Sequence, residues 1–423
     1  RKTTGQASVR NQVSGPAAAA GSLANATPSS GGKQLTNKQV SELPLNGRDF
    51  GQLLLLAAGT MTDTNGAANF TQQYAVNGQR GVTAVFAMDG IDVTDPELGG
   101  ATFDNFNIDA IQEIKTDSGV MPASIGEGAA SFTNIITRSG TSEVHGDVFE
   151  FLRNSSLDAR NFFDERSLVD PGRLPQFERN EFGFTNGGPL VLPGVYNGRN
   201  RTYYFGEYQG FRQTLGTTQV ISVPTREERL GLDTTAFPGD TLIVPVSPQI
   251  APVLARYPLP NDPEGPYGAR TFAASSAVTT TSDQFSFRID HTISSKAKLF
   301  SRFSFDNETG PTTNPSQLLI DPSFAIRFFD HERNFGLSYT RTFSPDLSSE
   351  SSMGFIRATP LFPSINAVQP GLTFADGLYE PFNSAAGTVT GSYGNLFQFR
   401  QDWTDVHGKH TFGWGAEVRL NRD

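Results

Sequence analysis

The stretch that decides the fold reads SDQFSFRIDHTI over Ser282–Ile293, SSK over Ser294–Lys296 and KLFSRFSFDN over Lys298–Asn307. The first segment alternates apolar residues on one face with polar residues, among them Arg288 and Asp290, on the other. Strict alternation predicts a β-strand with one apolar face. The short polar connection to the next alternating segment predicts a tight hairpin turn.

The same unit repeats from Gly140 to Asp423, as pairs of alternating segments joined by a tight turn and followed by a long polar loop. Tight turns on one side and long loops on the other are typical of outer-membrane β-barrels. A soluble all-β sandwich would produce this sorting only by chance. The longest predicted loop is Thr214–Thr281. The predicted strands are Val144–Arg153, Arg179–Gly187, Thr202–Gln213, Ser282–Ile293, Lys298–Asn307, Phe329–Thr342, Ser348–Ala358, Asn395–Asp405 and His410–Asn421.

Charge decides which face of each strand looks outward. A charged side chain facing lipid at the middle of a bilayer costs roughly 2–4 kcal/mol. The faces that carry Arg288 and, in the last strand, Glu417 and Arg419 are therefore predicted to face the lumen. Arg333 interrupts the apolar face of its strand, but near the long-loop end, where the cost falls to about 0–1 kcal/mol. The orientation of Val144–Arg153 stays open, because both of its faces carry apolar and charged residues.

Composition excludes several classes of function. The net charge of −10 argues against a nucleic-acid partner. The absence of cysteine excludes thiol catalysis, thiolate metal sites and disulfides. The sequence shows no phosphate-binding loop, nucleophile elbow or zinc motif, and its histidines are scattered. We therefore predict a protein that is not an enzyme and has no cofactor and no metal site.

The N-terminal third is predicted to have a different organisation. Residues 1–33 are rich in Ala, Gly, Ser and Thr and indicate a flexible linker. Residues 34–140 indicate a small α+β domain, with a helix over Asn37–Glu42 that Thr36 caps and a second helix over Phe50–Ala58. Its predicted strands are Gln73–Val76, Ala84–Met88, Ile111–Thr116 and Phe132–Thr137.

Several motifs of this chain carry a family resemblance. VNGQRG over Val76–Gly81, VFAMDGIDV over Val85–Val93, IDAIQEIK over Ile108–Lys115, IGEGAA over Ile125–Ala130 and NIITRSG over Asn134–Gly140 resemble the plug of TonB-dependent outer-membrane transporters. ELPLNGRDF over Glu42–Phe50 and VHGDVFEFLRN over Val144–Asn154 resemble the Oar-like subgroup. The resemblance runs in the family's order over about residues 35–423.

The resemblance implies an α+β plug followed by an antiparallel transmembrane barrel of about 22 strands. Residues 141–423 would then be the N-terminal part of an incomplete barrel, with about nine strands present. It also implies a place in the bacterial outer membrane, surrounded by lipid, and energy from the inner-membrane TonB complex. The TonB box that such a complex binds is not present in this chain.

The resemblance also directs attention to a contact between plug and barrel, for which Arg80, Asp89 and Glu113 are the candidates. Arg80 matches the Arg-Gly motif that lies in this contact in the family. A buried arginine needs a carboxylate partner, which lumen-facing Asp or Glu residues would supply, whereas an arginine in a wet lumen would need none. Asp89 precedes a glycine, and an Asp-Gly pair also serves turns.

The candidate ligand contacts lie in two polar stretches of the plug-like domain, within residues 62–72 and 95–107. They are Asn69, Phe70, Phe103, Asp104 and Asn105. Amide donors beside aromatic faces suit a small-molecule chelator, an oligosaccharide or a peptide equally. The expected function is a receptor that imports an extracellular ligand. The alternative is an adhesin or scaffold that uses the barrel as an anchor and its long loops for binding.

Overall fold

The computed structural model describes residues 33–45, 48, 50–62, 74–96, 99–100, 106–118, 123–126, 128, 131–158, 176–234, 239–312, 315–321, 324, 326–362, 372–374, 377–382 and 390–422. These residues form a small mixed sheet and a large antiparallel sheet. Within these ranges, no helix is long and apolar enough to span a membrane. The expected linker lies outside the described residues except for Lys33, which begins the first strand.

The small sheet has the strand order β1-β6-β7-β4-β5. Strands β4 and β7 run parallel, and the other neighbours are antiparallel. Its strands are β1 Lys33–Thr36, β4 Val85–Met88, β5 Ile91–Asp92, β6 Ile111–Ser118 and β7 Ser131–Thr137, while β2 Thr60–Thr62 and β3 Tyr74–Val76 form a separate pair. The helix α1 is Asn37–Glu42, and 3₁₀ turns span Phe50–Leu56, Gly81–Thr83 and Ile108–Ala110.

The large sheet follows the path β22-β21-β18-β17-β16-β15-β12-β9-β8, with two short strands, β19 and β20, beside it. Its strands are β8 His145–Asn154, β9 Phe177–Pro189, β12 Thr202–Ser222, β15 Thr271–Ser294, β16 Ala297–Thr312, β17 Ile326–Thr342, β18 Leu347–Ala358, β19 Leu361–Phe362, β20 Thr390–Gly391, β21 Gly394–His407 and β22 His410–Arg422. The connections contain β10 Val191–Leu192, β11 Tyr196–Asn197, β13 Leu232–Asp233, β14 Leu242–Ile243, α2 Ala251–Leu254, α3 Pro315–Ile320 and 3₁₀ turns at Ser155–Leu157, Glu228–Leu230 and Gly268–Arg270.

Each predicted strand of the large sheet is present, but two are much longer than predicted. The loop predicted over Thr214–Thr281 is wrong at both ends, because β12 and β15 stay paired as far as Ser222 opposite Thr271. These extensions are rich in Thr and other β-branched residues, which favour strands. They lack the apolar face by which the membrane-length segments were recognised.

The small domain contains one confirmed helix and one corrected helix. Helix α1 has the predicted bounds, and Gln39 Oε1 accepts a hydrogen bond from the backbone N–H of Thr36 at 3.1 Å. The α-helix predicted over Phe50–Ala58 is wrong, since Phe50–Leu56 is a 3₁₀ turn. Such a short segment gains little from α-helical propagation, and short helical pieces often adopt the 3₁₀ form.

The outward face of the large sheet carries an apolar band. Directly paired residues on six neighbouring strands form a row across it: Phe287, Phe303, Phe335, Phe355, Phe397 and Leu420. On β17 the band lies between Arg333 and Arg341, about 27 Å apart along the strand. With a strand tilt of 35–45° this height approaches the ≈ 25 Å apolar band of outer-membrane barrels.

An aromatic cluster borders the band at the tight-turn end. The indoles of Trp403 and Trp414 stack with ring centroids 6.3 Å apart, and Phe343 lies 5.4 Å from Trp403. Amphipathic aromatic rings are typical of the interface between lipid and water. The outward face therefore has the apolar band that the sequence predicted, with an aromatic border at one end.

The inward face of the large sheet, called the wall from here on, is polar and covers the small sheet. Gln284, Arg302 and Asn334 of the wall are fully buried. The orientation of β8, left open by the sequence, is set by Phe149 and Phe151, which face the small domain. Its Val148 and Leu152 are exposed on the other face.

Three long connections at the other end pack into one unit, called the loop cluster from here on. Its buried core combines residues of the connections after β12, β16 and β18. They are Ile221, Val223, Val253, Leu254, Tyr257, Ile320, Phe324 and Phe382. Ile221 lies on the same face of β12 as the wall residue Glu207, since their positions differ by an even number in an unbroken register. The loop cluster and the small sheet therefore cover the same face of the large sheet.

Because the apolar face of the large sheet points outward, a charge placed on it should cost more free energy near the middle of the bilayer than near its edges. Leu337→Arg, midway between Arg333 and Arg341, should destabilise the full-length protein in lipid vesicles by about 2–4 kcal/mol. Thr340→Arg on the inward face, beside Glu350, is the matched control and should cost less than about 1 kcal/mol, since wall residues avoid lipid. Denaturant unfolding in vesicles measures both values, and equal costs would contradict the assigned faces.

Candidate functional site

The contact between the small sheet and the wall centres on the hairpin tip, Met88–Asp92. Strands β4 and β5 pair through Met88 opposite Ile91, and Asp89-Gly90 forms the turn between them. Both turn residues have positive φ, 55° for Asp89 and 80° for Gly90. An Asp-Gly pair is favoured in such a turn because both residues tolerate left-handed conformations. The turn projects the carboxylate of Asp89 towards the wall.

Asp89 is only 4% exposed and binds two arginines of the wall. Its Oδ1 lies 2.7 Å from Arg288 Nη1, and its Oδ2 lies 2.9 Å from Arg302 Nε. The same carboxylate accepts hydrogen bonds from the backbone N–H and the hydroxyl of Thr137 on β7, at 2.9 and 2.8 Å. One side chain therefore joins a strand of the small sheet to two neighbouring wall strands.

The charges around Asp89 balance within the site. Arg288 also makes a bidentate pair with Asp290, with both contacts at 2.8 Å. Arg302, which is fully buried, donates to Ser304 Oγ at 2.9 Å. Two carboxylates thus face two guanidinium groups, which meets the requirement that buried charges be paired and hydrogen-bonded.

The pKa of Asp89 follows from this environment. Burial alone would raise the pKa, because it disfavours the charged carboxylate. The positive charges of Arg288 and Arg302 and the hydrogen bonds from Thr137 outweigh burial. The pKa of Asp89 therefore lies below its ordinary value of 3.8, and the group is ionised at neutral pH.

The hairpin tip lies along a single row of directly paired wall residues. This contact row crosses six strands and consists of Arg288, Arg302, Gly336, Gly354, Gln398 and Arg419. Ile91 fills the space at its centre, since a Cβ placed on Gly336 or Gly354 would lie 2.6 or 2.5 Å from the Ile91 side chain. Glycine at these two positions lets the tip approach the wall closely.

Asp92 holds the other end of the contact row. Its backbone N–H donates to Gln398 Oε1 at 3.0 Å, and its carboxylate forms an ion pair with Arg419. Burial raises the pKa of Asp92, and the positive charge of Arg419 offsets this rise only in part. The tip is therefore bound by charged groups on both sides of the glycines.

A second contact is made by Asn107, which is fully buried. Its backbone N–H donates to Gln284 Oε1 at 3.0 Å, and its Nδ2 donates to Glu207 Oε2 at 3.2 Å. Its Oδ1 accepts from the N–H of Asp109 and so caps the 3₁₀ turn that follows. Asn107 thereby links the small domain to β12 and β15, at Glu207, two residues along β12 from the partner of Arg288, and at Gln284, four residues along β15 from Arg288.

A third contact is made by Arg48, which has a positive φ of 52°. It pairs with Asp109 at 2.6 Å, and its Nε lies 3.1 Å from Glu181 Oε1 of the wall, at an angle that is poor for a hydrogen bond. Its guanidinium also lies 4.5 and 4.7 Å from the ring centroids of Phe149 and Phe151. A cation over aromatic faces adds to this anchoring on β8 and β9.

The comparison with protein families decides the identity of the large sheet. Residues 136–423, more than half of the chain, match the family model of the outer membrane beta barrel domain. The chain belongs to the outer-membrane β-barrel family. Its place in the bacterial outer membrane, predicted from the sequence, is confirmed by this match.

Known proteins resemble this outer-membrane β-barrel protein in sequence or in fold. The TonB-dependent transporter Oar of Myxococcus xanthus is 27% identical over 174 residues, which are 41% of this chain and 16% of Oar. The ferric enterobactin receptor of Pseudomonas aeruginosa has a TM-score of 0.56 at 14% identity and is matched over 95% of this chain and 50% of its own. The outer membrane transporter YddB of Escherichia coli has a TM-score of 0.58 at 9% identity, over 92% and 48%.

These matches confirm the predicted resemblance to TonB-dependent, Oar-like proteins. The chain spans about half the length of the solved structures that it resembles. At these identities the structural matches show that the fold is shared, a plug-like domain with barrel strands, and they show no ligand.

The predicted site residues of the β-barrel protein lie in different places. Asp89 lies at the wall, as described above. Glu113 accepts a hydrogen bond from Gln34 Nε2 at 2.7 Å, within the small sheet. The side chain of Arg80 is exposed, and its carbonyl accepts from the backbone N–H of Thr83 at 3.0 Å. The predicted ligand contacts Asn69, Phe70, Phe103, Asp104 and Asn105 lie outside the described residues.

At the hairpin tip, the charges of the two domains are the reverse of those expected. We expected an arginine of the small domain and carboxylates of the wall, which Arg48 and Glu181 satisfy. At the hairpin tip the carboxylate of Asp89 belongs to the small domain and the arginines to the wall. Sequence reasoning missed Arg48 and Asn107, although Arg48 stands in the NGRD segment that carried the Oar-like resemblance.

Removing the charge of Asp89 should weaken the docking of the small domain. Asp89→Asn leaves Arg288 paired with Asp290 but removes the carboxylate that Arg302 contacts, and breaking a buried pair in this way costs about 3–5 kcal/mol. Hydrogen exchange of β4 and β7 in the full-length protein should accelerate correspondingly. Glu42→Gln, which neutralises an exposed carboxylate at the end of helix α1, is the control and should change exchange by less than about 0.5 kcal/mol.

The same carboxylate predicts a pH dependence with a definite sign. Because the folded-state pKa of Asp89 is lowered, its contribution to stability is complete above the ordinary value of 3.8 and is lost as pH falls below it. Protection of β4 and β7 should therefore decrease below about pH 4. The loss should be smaller in Asp89→Asn, and identical pH profiles for the two proteins would contradict the role of Asp89.

Proposed function

We propose that this protein is a TonB-dependent receptor that binds an extracellular ligand and imports it through a plugged barrel. Residues 34–140 would be the plug, residues 141–423 the first part of a barrel of about 22 strands, and residues 1–33 a flexible linker. The observation that carries the proposal is Asp89, bound at 2.7 and 2.9 Å by Arg288 and Arg302.

The chemistry of this contact suits a plug that is held and then released. Apolar contact with the wall comes from Phe205, Ile356 and Leu396, which join the core of the small domain. Ile91 adds apolar packing against Gly336 and Gly354. The other contacts described above are ion pairs, hydrogen bonds and the cation–aromatic contacts of Arg48, whose charged and polar groups become favourably hydrated when water enters. A pulling force can therefore separate the contacts one after another without exposing a large apolar surface at once.

The partners follow from this mechanism. The inner-membrane TonB complex would supply the force, and outer-membrane lipid would surround the barrel. The ligand would be a small molecule, an oligosaccharide or a peptide. Asn69, Phe70, Phe103, Asp104 and Asn105 stay the predicted ligand contacts, and Arg80 and Glu113 stay predicted members of the contact between plug and barrel.

A reversible tether between plug and barrel tests transport. Residues 1–423 contain no cysteine, so Ile91→Cys with Gly354→Cys introduces a single possible disulfide within them. A Cβ on Gly354 would lie 2.5 Å from Ile91 Cγ2, and the two Cβ atoms would thus be at most about 4 Å apart, a suitable distance for a disulfide. Ser351→Cys with Gln401→Cys, directly paired on the outward face of the large sheet, is the control.

The measurement is uptake by cells that carry the full-length protein, with and without TonB. The probes are an iron-55 ferric catecholate, a labelled oligosaccharide and a labelled peptide. We expect at least one probe to accumulate only with TonB, the tether to abolish that uptake, and reduction to restore it. Uptake that is independent of TonB, or unaffected by the tether, would contradict the mechanism.

The loop cluster favours one alternative function, a surface adhesin or scaffold. Its connections are fixed by their own core and by polar contacts, such as Tyr257 Oη to the carbonyl of Glu380 at 2.7 Å. It also exposes apolar side chains, including Leu230 at 75% and Ile243 at 73%. Binding of cells or matrix that persists without TonB and is lost when residues 223–270 are shortened would support this alternative.

A further inference from the structure

The outward face of the large sheet carries a row of arginines at its long-loop end. Arg333 on β17 is directly opposite Arg357 on β18, which is paired with Asn395 on β21, and Asn395 is opposite Arg422 on β22. The neighbouring residues Asn334 and Ile356 are buried in the wall. Because side chains alternate between the faces of a strand, the arginines point outward.

This arrangement places like charges side by side. Directly opposed like charges destabilise an antiparallel pair. In the described part of the chain, no carboxylate forms an ion pair with Arg333, Arg357 or Arg422. The outward Arg212, by contrast, lies 2.7 Å from Asp283 and is neutralised by it. The arginine row therefore lacks the anion that its counterpart on β12 has.

The side chains of the row are held in place by backbone and aromatic groups. Arg333 Nη1 donates to the carbonyl of Glu332 at 2.7 Å, and its guanidinium lies 5.2 Å from the ring centroid of Phe305. The guanidinium of Arg357 lies 5.6 Å from the ring centroid of Tyr393. These contacts fix the position of the positive charges without neutralising them.

The row lies immediately above the apolar band. Two residues along each strand, about 7 Å, separate it from the paired row of Phe335, Phe355, Phe397 and Leu420. Positive charge thus borders apolar surface at the long-loop end, which in an outer-membrane barrel is the extracellular end. A lipid with an anionic headgroup and acyl chains has the same order of charge and apolar surface.

We propose that this row is a binding site for a phosphate-bearing lipid headgroup of the outer leaflet, that of lipopolysaccharide. One phosphate lies between Arg333 and Arg357, a second phosphate of the same headgroup approaches Arg422, and the acyl chains cover the phenylalanine row. Guanidinium groups bind phosphate oxygens in pairs through parallel N–H donors. The site depends on the outer-membrane location and not on the transport proposed above.

The test is lipid binding to the full-length protein in detergent micelles, measured by native mass spectrometry and titration with diphosphoryl lipid A. The variant is Arg333→Gln with Arg357→Gln, and the matched control is Arg212→Gln, which removes an outward arginine that already has a carboxylate. Circular dichroism and heat stability confirm that each variant is folded. Arg333→Lys with Arg357→Lys keeps the charge and tests whether charge suffices.

We expect saturable binding of diphosphoryl lipid A to the natural protein. At about 1 kcal/mol per arginine, the double glutamine variant should bind about thirtyfold more weakly, while Arg212→Gln binds as the natural protein does. Lipid A without its phosphates should bind weakly, and inorganic phosphate at millimolar concentration should not compete. Equal binding by the double glutamine variant, equal loss in Arg212→Gln, or full competition by inorganic phosphate would overturn the proposal.

Discussion

The carboxylate of Asp89 between Arg288 and Arg302 is the contact on which the arrangement of the two sheets depends. The two arginines stand opposite each other on β15 and β16, and without an intervening anion they would repel each other in a buried site. Asp290 balances only one of them. The wall therefore needs a carboxylate from the small domain to be neutral, and the small domain needs the wall to bury its hairpin tip.

Backbone geometry makes this contact possible. The positive φ of Asp89 and Gly90 turns the chain sharply, and Thr137 on β7 holds the carboxylate from behind at 2.8 Å. The tip then meets a wall that lacks side chains where it must come closest, at Gly336 and Gly354. Charge fixes the two ends of the contact row and shape fixes its centre, so the tip can dock in one position.

Local pattern was sufficient to predict the presence of the strands of the large sheet and the faces of those that alternate cleanly, but not the face of β8. Alternation around Phe285 and Phe335 located the membrane-length segments because lipid on one face and polar groups on the other leave a signal of period two. The extensions of β12 and β15 beyond Gln213 and before Ser282 leave no such signal, because lipid does not border them. Their pairing rests on β-branched residues and on the partner strand.

The partners within the site could be predicted much less well. Asp89 was a candidate from the family resemblance, but Arg302 lies 213 residues away along the chain. Which wall residue contacts Asp89 depends on the register of every strand between the two. No local sequence pattern determines that register. Arg48 and Asn107 lie in turns, where neighbouring Asn, Gly and Asp residues are explained by the turn itself. No sequence signal therefore indicated that these two residues also contact the wall.

The inward and outward faces of the large sheet are both set by one strand register. Arg302 of the contact row is followed by Phe303 of the apolar band, and Gly336 is preceded by Phe335. A slip of one residue would exchange the faces, which would move phenylalanines towards the hairpin tip and arginine towards lipid. The lipid-facing cost alone is roughly 2–4 kcal/mol for each charge near mid-bilayer. Insertion into the membrane and docking of the small domain therefore select the same register, so that the outward surface aligns the residues that hold Asp89.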